Sequence, residues 1–97
     1  MPYVLQHAST NRIYTCLLVN HYELAYYGTK YWDDADAAEA ESRPFLQQQG
    51  EPDPDEWRVM SISEQQMKMF NVKLKNDKRL RLFWDGQAPA EVRKDNE

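Results

Sequence analysis

The first third of the chain holds two stretches of β-branched, aromatic and aliphatic residues separated by short polar segments, a pattern typical of β-strands. Residues 3–20 are predicted to form a β-hairpin whose register sets Val4 opposite Leu17. Residues 21–32 are predicted to return as a third strand. Gly28 lies inside that strand, where a glycine often marks a bulge or a bend.

A change to helical spacing follows the third strand. Residues 33–41 are typical of the first turns of a helix, because acidic side chains near the amino terminus interact favourably with the helix dipole. Pro44 interrupts the pattern, where it is predicted either to kink the helix or to begin a second helical turn capped by Ser42, and Gly50 ends the segment. A loop with two prolines then leads into residues 57–62, which are predicted to form a strand.

Two predictions compete for the segment after this strand. Ser63 and Gln66 form a capping box, which predicts a helix that continues to about residue 76. Residues 69–76 also alternate between apolar and polar positions, so they are alternatively predicted to form a hairpin with residues 80–84. We favour the helix, because the hairpin would place lysine and arginine side chains directly opposite each other. Residues 80–84 are a strand in either case.

Together these elements predict an α+β fold, with a small antiparallel or mixed sheet of four to five strands and two helices on one face. The order along the chain is β-β-β-α-β-α-β. Residues 1–85 form the single domain, and residues 86–97 are predicted to be a disordered tail, because Val92 is their one large apolar residue. The predicted core consists of Val4, Leu5, Leu17, Val19, Leu24, Phe45, Leu46, Val59, Ile62, Met67, Phe70, Leu74, Leu80, Leu82 and Trp84.

The composition predicts a soluble globular protein in a reducing compartment. Of the 97 residues, 41% are hydrophobic and 29% are charged, and the net charge is −4. The single cysteine, Cys16, cannot form an internal disulfide, whereas small secreted domains are usually rich in disulfides. No segment reaches the roughly 20 apolar residues of a membrane span, and the amino terminus lacks the basic region of a signal peptide. We therefore expect a cytoplasmic protein with no membrane partner.

Candidate catalytic and metal-binding residues are few and scattered. Residues 33–36 hold three aspartates, but no glycine-rich phosphate loop accompanies them, so an acidic first helical turn is the simpler interpretation. His7, Cys16 and His21 lack the spacing of a zinc site. Cys16 also lies in an apolar run, where a thiol is usually unreactive. We expect no catalytic residues, no metal and no cofactor.

Aromatic residues are concentrated in the predicted third strand. Residues 21–32 carry five of the twelve aromatic side chains, and these cannot all face one small core because side chains alternate along a strand. Tyrosine and tryptophan are enriched at protein interfaces. The candidate partner-binding residues are Tyr22, Tyr26, Tyr27, Tyr31 and Trp32.

Charged residues are divided between two segments of opposite sign. Residues 33–56 contain nine acids and one base, whereas residues 68–81 contain six bases and one acid. Complementary charged surfaces steer protein association, and basic surfaces contact the phosphates of nucleic acids. The candidate basic patch consists of Lys68, Lys73, Lys75, Lys78, Arg79 and Arg81.

These features favour a non-enzymatic protein-interaction module or regulator, whose partner is another protein or a second copy of this chain. The surplus of aromatic residues, the divided charge and the lack of a catalytic constellation support this interpretation. One alternative is a nucleic-acid-binding accessory protein that uses residues 68–81, although few aromatic residues are interleaved with those basic side chains. Another is a small-molecule-binding protein or small enzyme with a pocket beneath the aromatic strand.

Overall fold

Residues 1–94 are described by a computed structural model of the chain, and they form seven strands and two helices. In chain order, the strands are β1 (Tyr3–His7), β2 (Arg12–Ile13), β3 (Thr15–Val19), β4 (Ala25–Thr29), β5 (Trp57–Ser61), β6 (Leu80–Phe83) and β7 (Glu91–Lys94). The helices are α1 (Ala35–Gln48) and α2 (Glu64–Leu74), and a short 3-10 turn, Pro54–Glu56, precedes β5. The α+β class and the predicted order of elements are confirmed.

The strands form one five-stranded antiparallel sheet and one separate hairpin. The spatial order in the sheet is β5-β1-β2-β6-β7, and the hairpin consists of β3 and β4. Only Tyr14 separates β2 from β3, so one extended segment leaves the sheet and enters the hairpin. At this branch point the Tyr14 N–H donates to the Leu5 carbonyl at 3.0 Å, and the Lys30 N–H donates to the Tyr14 carbonyl at 3.1 Å.

The two helices cover opposite faces of the five-stranded sheet. Val4 and Leu5 are neighbours on β1, so their side chains point to opposite faces. Val4 packs in one cluster with Phe70 of α2, whereas Leu5 packs in a second cluster with Leu46 of α1. The expectation that both helices lie on one face is therefore wrong. Both faces of the sheet are apolar, and each needs its own cover.

The helix ends follow local signals in the sequence. The Asp34 side chain caps α1 by accepting a hydrogen bond from a backbone N–H of the first turn at 3.1 Å. The Ser63 hydroxyl caps α2 by accepting from the Gln66 N–H at 3.0 Å, at the predicted position. Because α2 is helical as far as Leu74, residues 69–76 do not form the alternative hairpin.

The register at the amino terminus differs from the prediction. Gln6 lies opposite Ile13, and β1 pairs on its other side with β5. Leu17 lies opposite Tyr27 in the hairpin instead of opposite Val4. The cause is the bend after Ile13, which directs β3 away from β1 and leaves only a short pairing between β1 and β2.

The structure places a strand inside the predicted disordered tail, residues 86–97. Strand β7 pairs with β6 and sets Val92 opposite Leu82. Ala90, just before β7, is buried in the cluster beneath α2, and Val92 packs against the same cluster. One large apolar residue suffices here because it lies on the inward side of a short edge strand. Residues 95–97 of the predicted tail lie outside the described part of the chain.

Most of the predicted core is buried or packs against the two clusters, but three of its members do not. Leu17, Val19 and Leu24 are 58%, 67% and 63% exposed. All three belong to the β3–β4 hairpin and its turn. The prediction that they are core residues is wrong, because this hairpin extends away from the sheet that the helices cover.

Candidate interaction surface

The outer half of the β3–β4 hairpin exposes four large apolar or aromatic side chains. Leu17, Val19 and Leu24 are joined by Tyr22 in the turn, which is 72% exposed. We call these four residues the hairpin patch. Single exposed apolar side chains are common on protein surfaces, but a group of them on one element marks an interaction site or an aggregation risk.

The hairpin patch occupies both faces of the hairpin. Leu17 and Val19 share one face, because they are two residues apart on β3, and Val19 lies opposite the exposed Ala25. Leu24 lies opposite Asn20 at the end of the ladder, so it belongs to the other face. The outer half of the hairpin is therefore apolar on two sides.

The turn that joins β3 to β4 is fixed by its own hydrogen bonds. The Asn20 side-chain oxygen accepts from the Tyr22 N–H at 2.9 Å and from the Leu24 N–H at 3.1 Å. Glu23 adopts a left-handed conformation with φ of 63°, and its N–H donates to the Asn20 carbonyl at 2.9 Å. Asparagine favours such turns because its short side chain can bond to the following backbone. The tip of the hairpin therefore presents Tyr22 in a defined position.

The base of the hairpin is held by the buried side chain of Tyr27. The Tyr27 hydroxyl lies 2.6 Å from the Thr15 hydroxyl and donates to the Leu80 carbonyl at 2.7 Å. It also accepts a hydrogen bond from Arg81 Nη1 at 3.0 Å. This network connects β3 and β4 to the start of β6.

The outer edge of β4 is covered by two asparagine side chains from α2 and the residues that follow it. The Asn76 side-chain oxygen accepts from the Tyr27 N–H at 2.7 Å, and the Asn71 side-chain oxygen accepts from the Thr29 N–H at 3.0 Å. Gly28 lies between these two contacts, and a β-carbon there would come within 3.1 Å of the Asn71 oxygen. Gly28 pairs regularly with a residue of β3, so it allows a close approach of α2 and does not form the bulge considered from the sequence.

The outer edge of β3 has no such cover. The Asn20 N–H donates to the Leu24 carbonyl at 3.1 Å, and hydrogen-bonded pairs alternate along an antiparallel ladder. Leu17 and Val19 consequently direct their N–H and carbonyl groups away from β4. Within the described residues, β4 is the only strand paired with β3, so this edge is free.

The structure separates the five aromatic residues that the sequence groups together. Tyr22 is exposed, Tyr31 is 39% exposed and Tyr26 is half-buried, whereas Tyr27 and Trp32 are buried. The Trp32 indole N–H donates to the side chain of a glutamate in α1 at 3.0 Å. Of the predicted set, Tyr22 alone belongs to the hairpin patch. The remaining members, Leu17, Val19 and Leu24, are among the residues that the sequence assigns to the core.

The predicted basic patch is partly engaged in interactions within the molecule. Arg79 forms two side-chain hydrogen bonds to the Asp77 carboxylate, at 3.0 and 2.9 Å, and these bonds lower the pKa of Asp77 to about 2. Arg81 donates to the Lys78 carbonyl at 2.8 Å as well as to the Tyr27 hydroxyl. The four lysines of the patch lie on α2 or between α2 and β6: Lys68, Lys73, Lys75 and Lys78. Strand β7 adds positive charge that the sequence alone did not place here, because it sets Arg93 opposite Arg81.

The groove beside the aromatic segment is open, and the described residues hold no metal-binding cluster. Beside the aromatic segment lies a groove of about 450 Å³ that is open to solvent and is lined in part by Leu18, Tyr26, Lys30 and Tyr31. Within residues 1–94, no three His, Cys, Asp or Glu side chains come close enough to share a metal ion. The same part of the chain contains no helix long and apolar enough to cross a membrane. Burial raises the pKa of the Cys16 thiol, which disfavours the reactive thiolate.

No family model, no curated protein and no solved structure matches this chain. Among the surfaces of residues 1–94, the hairpin patch combines exposure, apolar character and a fixed backbone.

Tyr14, at the branch point of the fold, has a strongly perturbed pKa. Its ring packs edge-to-face against Trp57 and Phe45, with ring centroids 5.2 Å and 5.4 Å away, and the residue is only 5% exposed. Burial is the main cause that raises the pKa of Tyr14 to about 12, and the nearby carboxylate of Glu51 adds to the effect.

We expect the stability of the protein to fall between pH 10 and pH 12 because of Tyr14. The tyrosine ionises near 10.0 in the unfolded chain but keeps its proton to about 12 in the folded protein, so unfolding releases a proton in this window. The full effect is about 2–3 kcal/mol, present below pH 10 and lost as pH rises. Urea unfolding of the wild type and of Tyr14→Phe from pH 8 to pH 12 measures it. Equal pH dependence in the two proteins would contradict the assignment.

Proposed function

We propose that this chain is a non-enzymatic protein-interaction module that binds a partner through the hairpin patch. The observation that carries the proposal is the exposure, between 58% and 72%, of Leu17, Val19, Tyr22 and Leu24 on one projecting hairpin. Burying such side chains removes apolar area from water, which is the main favourable contribution to protein association. Tyrosine is also enriched among the residues that dominate binding energy.

The fixed backbone of the hairpin supports the proposal. Asn20 orders the turn, Tyr27 holds the base, and Asn71 and Asn76 cover the outer edge of β4. A surface that is already ordered loses little conformational entropy when a partner binds. The hairpin patch therefore meets the two requirements of a binding surface, apolar area and a defined shape.

The distribution of charge around the hairpin is also that of an interface. Between residues 15 and 29, Glu23 is the one charged side chain. Charged residues are depleted from the centre of protein interfaces and are tolerated at the rim. The acid-rich α1 follows this segment in the chain, and the basic Arg81 contacts the Tyr27 hydroxyl at the base of the hairpin, so charges of both signs would influence the choice of partner through long-range electrostatics. A cytoplasmic location belongs to the same proposal, because the lone Cys16 suits a reducing compartment.

A pull-down from the lysate of the source cell, treated with nuclease, tests this function. The variant Leu17→Lys/Leu24→Lys is expected to recover at least tenfold less of the partner, because each lysine would bury a charge in an apolar contact. The matched control is Met69→Lys/Val72→Lys, which changes two side chains of α2 that are 44% and 66% exposed. Circular dichroism checks that both variants are folded.

The outcomes separate the proposed function from its alternatives. Recovery that survives nuclease, persists in the control and is lost in the hairpin variant supports the proposal. Recovery unchanged by the hairpin variant contradicts it. Partners that disappear with nuclease and with Lys73→Glu/Lys75→Glu would instead indicate a nucleic-acid-binding protein.

A further inference from the structure

We propose that the partner of the free β3 edge is a second copy of this chain, paired antiparallel with Leu18 of one copy opposite Leu18 of the other. This inference rests on the proposed function of the hairpin patch, and it specifies both the partner and the register. A strand that pairs with an identical strand about a two-fold axis makes the same contacts on both sides, as is usual for homodimers.

The backbone groups on this edge are complementary to themselves. Leu17 and Val19 direct two N–H and two carbonyl groups outward. With Leu18 at the centre, Leu17 of each copy lies opposite Val19 of the other, and each such pair exchanges two hydrogen bonds. Four hydrogen bonds form in total, and they use all of the outward groups of both residues in both copies.

The start of β6 excludes the neighbouring register centred on Leu17. That register would require Thr15 to pair with Val19 of the second copy. In the five-stranded sheet Ile13 lies opposite Leu82, and continuing this register brings the start of β6 beside Thr15. The Tyr27 hydroxyl, which bonds both to Thr15 and to the first residue of β6, confirms that the two lie close together. A register centred one residue nearer the turn would set Leu17 of one copy opposite a turn residue of the second copy. Leu17 would then have no strand residue as its partner.

The side chains agree with this pairing. Leu17 and Val19 of both copies form a cluster of four apolar side chains on one face, which removes the most exposed part of β3 from water. The two Leu18 side chains meet on the other face. Strand β3 has no charged residue, so no like charges face each other across the paired strands. The turn of one copy, which contains Glu23, comes near the start of β6 in the other, where Lys78 is exposed.

Cysteine cross-linking tests the register directly. The Leu18 pair does not exchange hydrogen bonds, so its Cα atoms would lie about 4.5 Å apart, within the range of a disulfide. The two Leu17 residues would be diagonal neighbours at about 7–8 Å, which is too far. We expect Cys16→Ser/Leu18→Cys to form a disulfide-linked dimer under mild oxidation, at least tenfold more than Cys16→Ser/Leu17→Cys on a non-reducing gel. Cross-linking by the Leu17 variant instead, or by neither, overturns the proposal.

Sedimentation of the protein without added cysteines provides an independent measurement. We expect a dimer at micromolar concentration and at least tenfold weaker association for Val19→Pro, which lacks the outward N–H that the pairing needs. Because this N–H does not bond to β4, proline at an edge position is compatible with the fold. Val19→Ala is the matched control, since it shortens the same side chain and keeps the N–H. Equal dissociation constants for Val19→Pro and Val19→Ala would count against strand pairing.

These results also distinguish a failure of the dimer from a failure of the proposed function. A wild type that stays monomeric and does not cross-link overturns the dimer. If Leu17→Lys/Leu24→Lys nevertheless loses a different protein in the pull-down, the proposed function stands without the dimer. If the wild type is monomeric and the variant recovers the same proteins as the wild type, both proposals are wrong.

Discussion

Replacing Phe70 with alanine is expected to lower the free energy of unfolding by about 3–5 kcal/mol. Phe70 is fully buried in the cluster between α2 and the sheet. Its ring packs edge-to-face against the ring of Trp84, with the two ring centroids 5.4 Å apart. Its removal leaves a cavity that the surrounding backbone cannot fill completely. Because small domains are stable by about 5–15 kcal/mol in total, this one change removes a large part of the stability.

Chemical denaturation measures this loss, with Met69→Ala as the control on the same helix. Met69 is 44% exposed, so its truncation is expected to change the free energy of unfolding by less than about 0.5 kcal/mol. A loss of under about 1 kcal/mol for Phe70→Ala would show that α2 does not cover this face of the sheet as described.

Replacing Tyr27 with alanine is expected to cost about 3–5 kcal/mol and to release the hairpin from the sheet. The substitution removes a buried ring and leaves the Thr15 hydroxyl and the Leu80 carbonyl without their common partner. Arg81 also loses the hydroxyl that accepts its hydrogen bond. Tyr27→Phe keeps the ring and is expected to cost about 1–3 kcal/mol, the usual penalty for buried polar groups that lose a partner.

The same pair of variants separates the local effect from the global one by amide hydrogen exchange. In Tyr27→Phe the amides of β4 should exchange faster, whereas those of β1 should change only in proportion to the total stability. Tyr22→Ala, at the exposed tip, should leave both strands unchanged. Equal acceleration in β1 and β4 would mean that the Tyr27 hydroxyl contributes to the whole domain and has no specific role at the base of the hairpin.

Local signals in the sequence were sufficient to predict where both helices begin, although α1 continues through Pro44, which the pattern marked as an interruption. Ser63 accepts the hydrogen bond that its spacing to Gln66 predicts, and the acidic segment before α1 supplies Asp34 as a cap. Such signals depend on residues within one turn of each other, so they persist whatever the rest of the chain does. In the alternative hairpin, basic side chains would lie opposite each other. This unfavourable arrangement correctly favoured the helix for residues 69–76.

Strand pairing could not be predicted in the same way, because it depends on distant residues. The bend at Tyr14 is stabilised by β1 on one side of the bend and by Lys30 on the other, and neither is a local neighbour. Val4 and Leu5 are adjacent on β1 and are both buried, so both faces of the sheet are covered, whereas the sequence predicts both helices on one face. The position of α1 on the face opposite α2 became clear only from the packing of Leu46.

The aromatic residues that the sequence proposes for partner binding overlap with the hairpin patch at one position. The sequence directed attention to residues 21–32, and Tyr22 does lie in the hairpin patch. Tyr27 is buried in the cluster beneath α2, and Trp32 is buried in the cluster beneath α1. Leu17 and Val19 have the composition of a core strand, and their exposure follows from how far the hairpin extends beyond the sheet, which no local pattern encodes.

The two side-chain amides on the outer edge of β4 set the number of strands that the hairpin can accept. A hairpin has two edges, and each bare edge can recruit another strand. Asn71 and Asn76 occupy one of them, so within residues 1–94 the edge of β3 is the hairpin edge that remains available. A hairpin with one such edge can pair with one further strand, whereas a hairpin with two could accept strands at both sides. The helix that covers the core therefore also restricts strand addition at this hairpin to one side.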